Sequence, residues 1–329
     1  MYFLHIINGG KILDETNNSN DLNFTVDSKP KIDYKKEKTT LSKVGVSYFL
    51  LLLIMFFVPT LLLSVFPVKN NDILLLFNFF GFIFGFIILY CSIKKIPKAD
   101  NFKKENKLSL TEYIYYLIMG YGLMLLGYFI CNIIKNIFVP TVTNPLQTFQ
   151  SSGLIGTFLY GVLFGPIFEE YFFRKFLIDR TIRYGELFAV LSSAFMFMIY
   201  HMNFYQFLGV FLFGFVLAHV YVKTKNILYT ITMHQIANFL GLIVPSLVGV
   251  NPLFVKSYNL IAFIIMCLSI GFFVYYLYKV NFKQYDLKIS NKKLCNLYFN
   301  NFGIIIFLIF GLVIAILNLN IPWIMNLFH

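Results

Sequence analysis

Residues 45 to 67 read GVSYFLLLLIMFFVPTLLLSVFP, an apolar run without a single charge. A stretch of about 20 such residues crosses hydrocarbon as a helix, because in lipid only a helix or a closed barrel satisfies its own backbone polar groups. Comparable runs follow along the chain. We place spans at about 45 to 67, 73 to 93, 113 to 134, 153 to 178, 186 to 203, 205 to 222, 227 to 248, 257 to 278 and 302 to 320. The expected fold is therefore all-α, a polytopic transmembrane helix bundle with about 8 to 9 spans.

Composition agrees. Of the 329 residues, 58% are hydrophobic, 19% aromatic and only 13% charged, and the mean hydropathy is +0.73. That leaves too little polar surface to cover a water-soluble globule of this size. The net charge of +12 does not point to nucleic acid, since the cations fall between apolar runs instead of along one stripe. Lys94, Lys95, Lys98, Lys103, Lys104 and Lys107 follow the second run, and the loops after the first and third carry only Lys69 and Lys135. Arg174, Lys175, Arg180 and Arg183, then Lys223 and Lys225, then Lys279, Lys283, Lys288, Lys292 and Lys293 follow the even-numbered runs. The positive-inside rule then puts the N-terminus in the cytosol and the C-terminus outside, in what we expect to be a bacterial cell membrane. Cys91, Cys131, Cys267 and Cys295 are scattered singly and read as reduced structural thiols. Trp323 reads as an outer-interface anchor and His219 as a residue near the cytosolic boundary.

Four segments follow from this pass. Residues 1–44 are a basic cytosolic N-terminal tail, 45–150 accessory transmembrane helices, 151–248 a catalytic core and 249–329 C-terminal transmembrane helices.

Acidic side chains are nearly absent from the spans, Asp72, Glu112, Asp179 and Glu186 sitting at predicted ends, with one exception. Glu169 and Glu170 follow GTFLYGVLFGPIF and precede YFF, where an ionised carboxylate costs roughly 3 kcal/mol on insertion scales. They could be an interfacial pair tied to Arg174 and Lys175. Helical spacing makes Glu170 and Arg174 i,i+4 neighbours and turns Glu169 toward another surface. Pro166 just upstream removes a backbone donor and can kink the helix. In FMFMIYHMNF, Phe197 and His201 share a face, and in ITMHQIANF so do His234 and Asn238. A lone intramembrane histidine is usually a packing residue, and a His/Asn pair can be simple interhelical glue. Two carboxylates, two histidines and an asparagine on three spans, however, are together what water activation and oxyanion stabilisation require.

Depth counts support the set in part. Glu169 lies 15 residues and His201 17 residues from Tyr184, so they reach similar depths. His234 lies 9 residues past Lys225 and comes out roughly 10 Å shallower at about 1.5 Å per residue.

FEEYFFR at 168–174 matches an EExxxR signature, FMIYH at 197–201 matches FxxxH, and HQIAN at 234–238 matches HxxxN, in that order. Each motif alone is weak, and the ordered triplet is specific. The chain resembles the CAAX protease and bacteriocin-processing family of intramembrane proteases, also called the Abi family, which includes the type II CAAX prenyl endopeptidases. The resemblance covers Ser152 to Val248 and implies an endopeptidase acting on membrane-associated or peptide-precursor substrates. It implies that Glu169 activates water, that His201 positions it, that Glu170 and Arg174 order the site, and that His234 and Asn238 stabilise the oxyanion. Lys175 departs from the small residue that commonly follows the motif arginine. The expectation is no metal, with zinc held by Glu169, His201 and His234 as the alternative. Partners are then the substrate and the lipid bilayer, with no nucleic acid.

Rival readings come from other classes. A non-catalytic bacteriocin self-immunity or scaffold protein would need no water-activating set. A proton-relay transporter would show further acids along its path, and none occurs on the outer half of spans five to seven. HExxH, a GxSG-type serine and paired intramembrane aspartates are all missing from the sequence, leaving the glutamate route.

Overall fold

The computed structural model describes residues 32–99, 102, 106–138, 153–249, 251–284, 287 and 289–319. Most of the predicted N-terminal tail and Trp323 lie outside them. Met1–Asp33 and Tyr34–His329 cluster as separate units, and the architecture below is that of the second. Among the described residues every regular element is helical.

The helices are α1 (Tyr34–Val65), α2 (Asn71–Ile93), α3 (Leu110–Phe138), a segmented α4 (154–181), α5 (Glu186–Tyr200), α6 (Phe207–Thr224), α7 (Ile227–Val248), α8 (Pro252–Lys279), α9 (Asn291–Phe299) and α10 (Phe302–Leu317). Their ends are set by side chains that meet otherwise orphaned backbone N–H groups. Asn70, Asn226 and Asn251 each cap a helix by accepting from the N–H two residues on, and Asn301 does so from Ile304. Helix α3 opens with a capping box. Glu112 N–H donates to Ser109 Oγ at 3.2 Å, while Ser109 N–H donates to the Glu112 carboxylate at 3.0 Å.

Among the described residues six helices are long and apolar enough to cross a membrane, and α9 with α10, bent by 65°, makes a seventh if taken as one span. The chain is an integral membrane protein. This count does not confirm the expected eight to nine spans, the difference lying at the fourth and fifth runs. Both are helical, but α4 carries the two glutamates in a helix broken into α and π turns, and α5 has only 15 residues. Much of both is buried, with Leu154, Ile155, Phe158 and Leu159 at the start of α4 and Leu191 of α5 exposed.

The core lies where α3, α5 and α6 meet, around Met119, Val190, Val216, Leu217 and Val220, all fully buried. Outward faces stay apolar, as on α8, where Leu260, Ile261, Phe263 and Ile264 are exposed in the pattern expected against lipid. Cys91, Cys267 and Cys295 are unpaired and exposed, and Cys131 is unpaired and half-buried.

Helices α1 and α10 meet at glycines. A Cβ at Gly303 would lie 1.8 Å from the Ser42 carbonyl oxygen, so a side chain cannot fit without parting the helices. Gly303→Ala is expected to destabilise the protein by about 1–3 kcal/mol, the range for overpacking, seen as a lowered midpoint of thermal unfolding in detergent. Gly241→Ala, which meets open space, should leave that midpoint unchanged.

Candidate active site

The local winding of α4 builds the site. Residues Phe158–Phe164 and Tyr171–Ile178 form π turns flanking the α-helical Gly165–Glu170. Pro166 lacks the N–H that would have met the Val162 carbonyl, so regular α-winding cannot pass through it. Wider turns leave carbonyls that side chains of neighbouring helices collect. Asn238 Nδ2 donates to Gly161 O at 2.8 Å and Gln235 Nε2 to Leu163 O at 3.2 Å. In the second π stretch, Ser193 Oγ donates to Phe173 O at 2.8 Å and the Tyr48 hydroxyl to Phe172 O. These bonds fix α7, α5 and α1 against α4.

The paired acids take different roles, as their spacing predicts. Glu170 is fully buried, with Arg174 Nε 3.0 Å from one carboxylate oxygen and His234 Nδ1 2.8 Å from the other. The Arg174 contact is an ion pair without directed hydrogen-bond alignment, and no described group accepts from its Nη1 or Nη2. Its guanidinium instead lies 4.5 Å from the centre of the Phe197 ring. Thr230, buried one turn before His234, donates its hydroxyl to the Ile227 carbonyl at 3.0 Å. Lys175 turns away to Asp179 at 3.2 Å, so its departure from the family pattern falls outside the site.

Glu169 points into a cavity of about 420 Å³, shared with His201, His234 and Asn238 and walled by Tyr128, Tyr160, Tyr200 and Phe213. Glu169 Oε2 lies 3.6 Å from His234 Nε2, so this imidazole sits between the two carboxylates. His201 caps α5, and its Nδ1 is 2.9 Å from the Phe197 carbonyl. A carbonyl only accepts, so Nδ1 carries the hydrogen and Nε2 keeps a lone pair. The chain then leaves α5 through Met202 at φ 46°, whose carbonyl accepts from Asn318 Nδ2 at 2.9 Å. That left-handed residue turns the backbone sharply just past the histidine.

All six sequence-derived site residues thus gather on α4, α5 and α7. The expected depth mismatch of His234 is absent. Glu169 Oε2 and His234 Nε2 are 3.6 Å apart, and π turns over Tyr171–Ile178, which advance less per residue than the 1.5 Å of α-winding, take up only part of the counted difference. His219 lies elsewhere, half-buried beside the Tyr116 hydroxyl at 3.4 Å. Sequence reading gave no role to Phe197 beyond its motif, yet its ring meets Arg174, His201 and His234.

Among the described residues no three His, Cys, Asp or Glu side chains form a group able to hold a metal ion.

No curated protein and no solved structure matches the chain. Residues 151–240 match the family model described as Type II CAAX prenyl endopeptidase Rce1-like. The matched stretch contains FEEYFFR, FMIYH and HQIAN, and the match supports the assignment of this chain to the CAAX protease family.

Proposed function

We propose that this protein is an intramembrane endopeptidase that hydrolyses peptide bonds of membrane-associated or peptide-precursor substrates with a glutamate-activated water. The observation that carries the proposal is the convergence of Glu169, His201, His234 and Asn238 on one cavity, behind which Glu170 and Arg174 form a fully buried ion pair. The match to the prenyl endopeptidase family model supports the same reading.

In this mechanism a water in the cavity donates one hydrogen to the Glu169 carboxylate and the other to His201 Nε2. Its oxygen lone pair then faces the scissile carbonyl carbon. As the C–O bond forms, Glu169 takes a proton and the carbonyl oxygen becomes an oxyanion. Asn238 spends one amide hydrogen on Gly161, and its second is free to donate to that oxyanion. The second oxyanion contact is assigned to His234, whose Nδ1 is held on Glu170 and whose Nε2 faces the cavity beside Glu169. Glu169 finally passes its proton to the leaving amine as the C–N bond breaks. No step of this mechanism needs zinc.

Asn238→Ala is expected to lower kcat about 10²–10³-fold with little change in KM, because it removes a donor used only by the charged intermediate. Steady-state assays on a cleaved peptide check this.

The reading is tested by comparing the membrane and secreted peptides of cells carrying the wild type, Glu169→Gln or nothing, at matched expression. Fragments that vanish with both the deletion and the glutamine variant identify clients. If the glutamine variant retains the cellular phenotype and every fragment, the non-catalytic immunity or scaffold reading replaces catalysis.

A further inference from the structure

A second cavity, of about 880 Å³, opens at the end of the bundle where α1 begins, α2 finishes and α9 bends into α10. Among the described residues Lys35, Lys38, Lys43 and Lys95 line it, and no Asp or Glu does. Among the described residues, none of the ion pairs uses Lys38, Lys43 or Lys95. The acidic residue nearest in sequence on α1, Glu37, turns the other way, where it is buried against Arg183 and Tyr184. The neutral side chains do not compete for an anion. Thr39, Thr40, Ser47 and Ser92 donate their hydroxyl hydrogens to carbonyls of their own helices. The ammonium groups are therefore the strong donors facing this space.

The positive-inside rule accounts for lysines at this end of the bundle. It does not account for their convergence on a concavity to which no described residue brings a carboxylate. The contrast is a larger cavity of about 960 Å³ lined by Lys223, Lys279 and Lys283, which carries its own counter-ions in Glu112 and Glu186, Lys223 being 2.8 Å from Glu112. The wall of the lysine cavity is also amphipathic. Phe302, 69% exposed, and Ile305, 38% exposed, continue from it along α10, which offers an apolar track beside the cations.

We propose that this cavity binds the phosphate headgroup of an anionic phospholipid, with Lys38, Lys43 and Lys95 around the phosphate and an acyl chain running over Phe302 and Ile305. Basic pockets between helices at a membrane surface recognise lipid headgroups in this way, and each lysine near such a surface contributes about 1 kcal/mol, close to a fivefold change in binding. The lipid would tie α1, α2 and α10 together at the end of the bundle away from the glutamates of α4.

The test uses the full chain in nanodiscs of phosphatidylcholine with a minor fraction of phosphatidylglycerol, and native mass spectrometry counts the lipids kept on release. The wild type is expected to retain phosphatidylglycerol over phosphatidylcholine. Lys38→Gln, Lys43→Gln and Lys95→Gln combined should weaken that preference about a hundredfold, the product of three fivefold effects. Arginine at the same three positions should keep the preference, which separates lost charge from lost folding. Lys94→Gln, Lys98→Gln and Lys107→Gln combined remove equal charge outside the cavity and should leave the preference intact. Equal loss in both glutamine triples would overturn the proposal in favour of diffuse surface attraction. Displacement of the lipid by inorganic phosphate would overturn it in favour of a free-phosphate site, and so would a wild type with no preference in favour of no site.

Discussion

Glu169→Gln should lower the rate of peptide hydrolysis by about 10²–10⁴-fold, the range for losing a positioned general base, while the thermal midpoint of the detergent-solubilised protein stays at the wild-type value. The substitution keeps the volume and the planar end group of the side chain and removes only its charge and its ability to take a proton. Glu169 can be exchanged in this way because the fold does not rest on it. Its side chain faces the cavity and is 14% exposed, and the ion pair with Arg174 belongs to its neighbour. Glu170→Gln is the informative contrast. That change unpairs Arg174 and weakens the hold on His234 Nδ1, so rate and stability should fall together. A pure binding protein would tolerate Glu169→Gln without loss of function. Single-turnover assays on a client peptide, run beside thermal unfolding, separate these outcomes.

The different roles of the two acids follow from one helical step, and for that reason they were legible in the sequence. Adjacent residues point about 100° apart, so one glutamate can serve the fold and the other the cavity. The same arithmetic placed His201 next to Phe197 and His234 next to Asn238. It failed on depth, and while 3.6-residue winding breaks down across Phe158–Phe164 and Tyr171–Ile178, only the second stretch lies within the count and takes up part of the difference. Pro166 marks the first of these irregularities in the sequence, but no residue announces the second. Tyr128, which walls the cavity from α3, left no signal either, since an aromatic residue on an apolar helix is as readily explained by lipid contact. Span counting failed for a related reason. Hydropathy reports how apolar a run is, and α5 is apolar because protein surrounds it, with Ala189, Val190, Ala194 and Met196 fully buried.

Arg174→Leu is expected to destabilise the protein by about 3–5 kcal/mol, more than any other single change considered, because it leaves the Glu170 carboxylate buried without its counter-charge. Both side chains have no exposed surface, so solvent cannot screen the orphaned charge. Leucine also ends the contact between the guanidinium and the Phe197 ring, which supports His201 and His234 from behind. Adding Glu170→Gln to Arg174→Leu should recover much of the lost stability, since no unpaired charge then remains, although His234 loses its carboxylate partner. Thermal unfolding of the two single variants and the double variant forms a cycle whose coupling term measures the pair. A strong coupling would mean that the ion pair works as a unit, fixing α4 so that His234 is held between the glutamates. Additive losses would mean that Arg174 contributes mainly through its packing on Phe197, and that Glu170 meets its charge requirement through His234 alone.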